Sequence, residues 1–412
     1  MLLVDLTFSH FASKRTLSFA QFFPDGHFQT VFSRQSFPGE NRSMSNENTP
    51  SKIRLGMIGT GGMARYHIGN ILKQLDTTEV VAVCEPSGDA YEHAADLFDK
   101  AGQPVPPNEP NFAKFIKTYA GKIDAAFIVT PHNEHFPQAT ALMKAGIDVL
   151  IEKPMVMNPA EAKKLLKTRD QTGRLLMVAF NGSSSPSIRI AAEMLQSGEL
   201  GKILNVQAAV WQTWEQATKG LWRQVPEISG GGYMFDTGAH LLNTVSDLIG
   251  EPFTEVAAFI DNRSTKVDIL TVAIAKTKSG SFVTINGCGA SPVTGTDIKI
   301  WCEKGMLETG VWGGYLRVQK AGEKEMMNVE LPPFLGVWQT FVRVRHGEIQ
   351  NPCPGEIGLR MIELWDAIKA SAAQKGNVVK IKASVKKAAP AKAKAKPAAK
   401  KASAKGKSKA KK

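Results

Sequence analysis

The run IRLGMIGTGGMA constrains this chain more than any other stretch. An apolar, strand-like segment from Ile53 to Ile58 leads without a break into Gly59, Gly61 and Ala64, and a helical pattern starts at about Met63. The first glycine permits a tight turn and the second lets the backbone approach a pyrophosphate. The small third residue lets helix pack closely on strand, with the helix N-terminus aimed at the phosphates. Gly59, Thr60, Gly61, Gly62 and Met63 are therefore the expected cofactor loop. A second strand, EVVAVCE, ends at Glu85, 21 residues beyond Ala64, where an acid is expected to take the adenosine ribose hydroxyls. Pro86 and Ser87 follow, with no arginine to receive a 2′-phosphate, which favours NAD over NADP.

Further strand-like runs follow at α/β intervals: AAFIVT (125–130), DVLIE (148–152) and LLMVA (175–179), with HFPQATALMKAG reading as the helix between the first two. The alternation predicts a doubly wound parallel sheet over residues 51–179, with ligands at the carboxyl ends of its strands. Two of those ends carry unusual chemistry: Thr130 and Pro131 with His135, and Glu152, Lys153 and Pro154. Lys153 is either a proton donor or substrate clamp, or a surface lysine paired with Glu152.

From Leu200 the pattern changes to consecutive strand-like runs such as TEVAAFIDN, DILTVAIAK and DIKIWCE. They predict an α+β domain over 180–382, built on a large, mostly antiparallel meander with one face against helices. Inside it lies ISGGGYMFDTGAHLLNTVSDLIG, helical from Tyr233, so that Asp236 and His240 stand at i and i+4 on one face. The glycines are not preceded by a strand, which argues against a phosphate loop. A metal site needs a third and usually a fourth ligand; the other histidines are scattered, and no metal is expected. Two readings stay open. His240 is a core histidine capped by Asp236, or the carboxylate orients the imidazole as an acid/base titrating near physiological pH.

Apolar and charged contents of 43% and 22% are those of a soluble globular protein. The net charge of +13 suggests a nucleic-acid binder until it is located: residues 383–412 carry 12 Lys and no acid, leaving 13 − 12 = +1 for the rest. That Lys/Ala/Pro tail lacks apolar residues to bury and is expected to be disordered. It serves either as a nonspecific contact with nucleic acid or another polyanion, or as a solvated appendage. Residues 1–50 hold 8 of the 20 Phe without periodicity and are expected to be a disordered extension, with residues 1–43 lying upstream of a natural start at Met44. No membrane span is expected. The four cysteines form no CxxC pair, which suits a reducing, cytoplasmic setting.

GTGGMA, Glu85, TPHNEH, AGIDVLIEKP and WRQVPEISGGGYMFDTGAH occur in an order and spacing that closely resemble the Gfo/Idh/MocA family, over about residues 52–382. The resemblance implies a Rossmann domain followed by an α/β domain whose open sheet makes dimer or tetramer contacts, and a late helix, about 355–373, packed back on the first domain. It also implies that Lys153, ahead of a cis Pro154, forms the catalytic group with Asp236 and His240. In dehydrogenase members the histidine takes the hydroxyl proton while hydride passes to the nicotinamide, the lysine polarises the oxygen, and the aspartate orients the group. Thr130, Pro131, His135, Glu152 and Lys153 join the cofactor site; Lys153, Asn181, Trp222, Arg223, Asp236 and His240 line the substrate site. Two segments depart from the family pattern: Gly182 and Ser183 replace arginines after Asn181, and Asn243 stands where an acid is frequent. Just upstream of the glycines, Trp211, Trp214 and Trp222 either offer faces that suit a sugar ring or, for two of them, serve as core or interface. Arg223 suits hydroxyls or a carboxylate. The expected activity is NAD-dependent oxidation of a secondary alcohol of a sugar, inositol or related polyol. The alternatives are an NAD-requiring glycosidase working by transient oxidation and elimination, and a non-catalytic NAD-binding regulator.

Overall fold

In the computed structural model, which describes residues 51–334 and 336–382, Ile53–Ile58 forms strand β1 of a five-stranded parallel sheet. Its other strands are β2 (Thr78–Cys84), β3 (Ala125–Ile128), β4 (Asp148–Ile151) and β5 (Leu176–Val178), in the order β2-β1-β3-β4-β5. Every residue of β3, β4 and β5 is buried, as expected of parallel strands covered by helices on both faces. These strands stop one or two residues short of the apolar runs. Thr130 and Glu152 thus lie beyond the ladder, in the loops at its carboxyl edge. The expectations for residues 1–50 and 383–412 lie outside the described residues.

The second sheet has nine strands: β6 (Ile203–Trp211), β7 (Phe253–Asp261), β8 (Leu270–Thr277), β9 (Phe282–Cys288), β10 (Gly295–Cys302), β11 (Gly305–Thr309), β12 (Leu316–Lys320), β13 (Met327–Asn328) and β14 (Val379–Lys380). Their order is β13-β12-β11-β10-β6-β9-β8-β7-β14. The meander expectation holds over β7, β8 and β9, and again over β10 to β13. Between them β6 pairs parallel with β9 and antiparallel with β10. The helix-bearing segment 212–252 separates β6 from β7, so no hairpin ties these two strands together. The helices Gly238–Ile249 and Gly355–Ala373 cover one face of the sheet. The other face is open, with Phe259, Val272, Ile274 and Phe282 each more than half exposed.

The chain returns to the first sheet after β13. Arg169 forks onto Glu356 at 2.9 and 2.8 Å. In the helix Val337–Arg345, Trp338 Nε1 donates to Thr78 Oγ1 (2.8 Å), and Arg345 Nε donates to Asp148 Oδ2 (3.1 Å). Residues 337–345, placed by sequence order in the second domain, thus pack on the first.

Candidate active site

The loop after β1 is shaped by its glycines. Gly59 has φ +90°, and a Cβ there would lie 2.6 Å from the Val129 carbonyl oxygen, so no other residue fits. Gly61 and Gly62 face open space at the start of the helix Gly62–Ile71, beside the exposed Met63. At the end of β2, the Glu85 carboxylate accepts from Thr60 N (2.7 Å), Thr60 Oγ1 (3.1 Å) and Ser87 N (2.8 Å), which ties the loop to the strand end. A carboxylate has roughly four acceptor positions, so capacity remains for ribose hydroxyls. An open turn at a helix N-terminus with an acid at the next strand end fits a dinucleotide. NAD should bind at least about tenfold more tightly than NADP, and Glu85→Ala should narrow that ratio, since a hydrogen bond to a charged group contributes about 1.5–3 kcal/mol. Tryptophan quenching measures both affinities; wild-type preference for NADP would refute the role of Glu85.

The two strand-end loops are braced from behind. His135 is fully buried, with Nδ1 2.8 Å from Pro154 O and Nε2 3.0 Å from Thr130 O. A neutral ring has one N–H and so donates to one of these two carbonyls. Its burial between the β3 loop and the cis Lys153–Pro154 turn sets it apart from the exposed cofactor positions expected of it. Glu152 is similarly occupied, with Oε1 2.7 Å from His67 Nε2 and Oε2 accepting the Lys153 backbone N–H at 2.9 Å. Burial disfavours its charge, but the His67 hydrogen bond and Lys153 outweigh that and bring the carboxyl down to about 2. Its side-chain partner is His67, not Lys153 Nζ as a surface pairing would have it. Of this group, Thr130 and Pro131 remain partly exposed, with Thr130 Oγ1 donating to Gln138 Oε1 at 2.7 Å.

Lys153 instead crosses to the second domain. Its ammonium donates to Asp236 O (3.0 Å) and Oδ1 (2.8 Å). Asp236 Oδ2 accepts from Trp214 Nε1 (2.8 Å) and Arg223 Nε (3.1 Å). His132 Nε2 lies 4.0 Å from Oδ1, and its Nδ1 is 2.7 Å from Ser229 O. Burial works against the Asp236 charge, but Lys153, Arg223 and their hydrogen bonds hold the carboxyl well below the usual range. The Arg223 guanidinium lies over Trp222 at 4.5 Å, and the His132 ring meets Trp222 edge-on at 4.8 Å.

His240 comes to the same cleft without the partner its spacing suggested. No hydrogen bond joins it to Asp236, whose oxygens are taken by two cations and an indole, stronger partners than a neutral imidazole. The ring packs between Phe180 and Trp312. Its Nδ1 is buried and unpartnered, which leaves Nε2 as the nitrogen that meets the cleft. Burial, and then the Lys153 charge, lower its pKa to about 3, which weighs against the one of the two sequence readings in which it titrates near physiological pH.

The helix expected from Tyr233 is divided at Thr237 into Tyr233–Asp236, which the three glycines precede, and Gly238–Ile249, which carries His240. A Cβ on Gly232 would collide with the Asp268 backbone. The buried Asp268 carboxylate accepts from Gly232 N and Met234 N, both at 2.6 Å, and so caps the helix start from across the sheet edge. The two departures from the family pattern meet each other: Asn243 Nδ2 donates to the buried Ser183 Oγ at 2.8 Å. Asn181, at the head of a four-residue helix, stays partly exposed. Reading the sequence missed His67, His132 and Asp268, of which only His132, inside TPHNEH, carried a signal. Trp214, one of the three tryptophans upstream of the glycines, is buried on Asp236 rather than open to a sugar.

Burial keeps His132 and His240 at about 3 and also lowers His135. An unfolded histidine titrates near 6.5, so below that pH the unfolded chain gains protons that the folded chain refuses, and stability falls. The melting temperature should therefore drop by several degrees between pH 7 and pH 5, before any depressed carboxylate protonates. A flat profile over that window would show the rings are not held neutral.

A family model described as "Oxidoreductase family, NAD-binding Rossmann fold" matches residues 53–180, and the C-terminal domain model of the same group matches residues 188–308. An oxidoreductase of Formosa agariphila is 29% identical over 205 residues, 49% of this chain and 62% of that protein. The D-glucoside 3-dehydrogenase of Escherichia coli is 26% identical over 51% of this chain and 57% of its own length. This chain thus spans less than two thirds of both relatives. A solved levoglucosan dehydrogenase, in complex with NADH and levoglucosan, superposes with a TM-score of 0.70 at 19% identity, covering 80% of this chain and all of that one, which establishes the shared fold.

Proposed function

This chain belongs to the Gfo/Idh/MocA family and carries its NAD-binding Rossmann domain, and from that premise we propose that it oxidises a secondary alcohol of a sugar, inositol or related polyol. The reading rests on one observation above all. Lys153 is fixed by Asp236, and its charge is, after burial, the largest influence that keeps His240 neutral, so the two side chains act on one another. The nicotinamide would supply the two-electron acceptor for the carbinol carbon.

The chain's own residues have separable roles. An ammonium has three N–H donors, and Lys153 uses two on Asp236, leaving one for the substrate oxygen. That charge favours the alkoxide character that develops as the proton leaves. His240 is already in its base form and takes the hydroxyl proton at Nε2, because Nδ1 is sealed among Phe180 and Trp312. Trp214 and Arg223 keep the Asp236 carboxylate turned to Lys153, and the Trp222 ring carries the Arg223 guanidinium. Glu152 and His135 fix the loop from which Lys153 projects. Glu85 and the Gly59–Met63 loop hold the dinucleotide.

The experiment is a panel of sugars, sugar acids and inositols with NAD, read at the absorbance of the reduced nicotinamide. At least one secondary alcohol should give stoichiometric reduction. NAD binding without reduction by any polyol would overturn the reading, and glycoside cleavage without net reduction would favour the glycosidase alternative. We also place a second copy of the chain on the open face around Phe259, Val272, Ile274 and Phe282, checked by light scattering. Among the described residues no helix is long and apolar enough to cross a membrane, and all four cysteines are free, which supports a reducing, cytoplasmic setting.

A further inference from the structure

We propose that the substrate carries a carboxylate, a sugar acid rather than a neutral polyol, and that the two terminal guanidinium nitrogens of Arg223 bind it. The inference rests on the dehydrogenase reading and names the substrate class within it.

Arg223 uses only Nε inward, on Asp236 Oδ2 at 3.1 Å. Its Nη1 and Nη2 have no partner among the described residues, and its side chain remains 31% exposed. The guanidinium is not free to swing. It lies on the Trp222 ring at 4.5 Å, and that ring is met edge-on by His132. A guanidinium fixed by stacking presents a preformed fork, which loses little freedom on binding a planar anion.

Charge points the same way. One carboxylate, Asp236, answers two cations, Lys153 and Arg223. The other acid of the cleft, Glu152, is closed off behind His67 and the Lys153 backbone N–H. His132 and His240 bring no negative charge. A positive charge at Arg223 is therefore left without a full counterion in a partly desolvated cleft, where an anion is attracted more strongly than in water. One free guanidinium edge offers two parallel N–H groups, which match the two oxygens of a carboxylate, one charge against one.

The test uses the full-length protein with NAD and three probes: glucose, glucuronate and glucose 6-phosphate. The expected kcat/KM is about tenfold or more higher for glucuronate than for glucose, as one additional charged hydrogen-bonded contact gives. Arg223→Gln disturbs Asp236 as well, so the deciding quantity is the acid-to-neutral ratio of kcat/KM, which cancels the shared loss. That ratio should fall at least about tenfold, mainly through KM of the acid. An unchanged ratio, equal use of glucose by the wild type, or preference for the phosphate overturns the proposal. If neither these probes nor any member of the wider panel reduces NAD, the dehydrogenase reading is what fails. Calorimetric binding of glucuronate against glucose to the NAD-loaded wild type and variant then decides the carboxylate site by itself.

Discussion

His240→Ala should lower kcat by about 10²–10⁴, the range carried by a positioned proton-transfer group, while the affinity for NAD stays unchanged. The ring is accessible to the cleft through Nε2 only, and burial with the Lys153 charge lowers its pKa to about 3. It therefore starts each oxidation unprotonated, and the acid limb of kcat/KM, which reports the free protein, should lie well below pH 6.5. Steady-state kinetics on the best polyol, with cofactor affinity from tryptophan quenching, separate the roles. Loss of cofactor binding together with turnover would make His240 a packing residue between Phe180 and Trp312. An acid limb at 6.5 would contradict its low pKa.

Lys153→Met should cost about 10³ in kcat/KM, since it removes the charged donor aimed at the reacting oxygen. Two physical readouts accompany the kinetics. Lys153 is the charge that holds His240 low after burial, so the His240 ring should titrate upward from about 3 when the ammonium is gone, visible by NMR. Lys153 is also the first counter-charge of the buried Asp236, opposing burial. Losing it raises the Asp236 pKa. A depressed carboxyl contributes stability above its unfolded pKa and loses it as pH falls, so the variant should be less stable at neutral pH and unfold at a higher pH on acidification. Unchanged His240 titration would place the lysine elsewhere.

The extent to which the site was legible follows from the range of each interaction. Gly59, Gly61 and Glu85 act through local turn geometry and a strand spacing of known length, so the pattern in the chain carries them. Asp236 and His240 were legible as a pair but their partnership was not. The spacing places both on one helical face, whereas Lys153, 83 residues away, and Arg223 reach the carboxylate and outcompete the imidazole. His67 and Glu152 are 85 residues apart and Asp268 lies 36 beyond Gly232; nothing in a linear reading brings such groups together. His135 reads as a ligand from its place at a strand end, and only its complete burial between two carbonyls assigns it to bracing.

By itself the sequence determined the alternation of strands and helices, the glycine turn that receives a dinucleotide, the preference for an acid at the end of β2, and the residues available for proton transfer. These depend on backbone geometry and periodicity, which are written in consecutive residues. Tertiary structure decided how those residues are used: β6 inserted between β9 and β10, Val337–Arg345 returned to the first sheet, Asp236 bound to Lys153 and Arg223, and His240 left neutral. Burial and the choice of counter-charge depend on groups far apart in the chain, and those two quantities set the protonation state of each residue in the cleft.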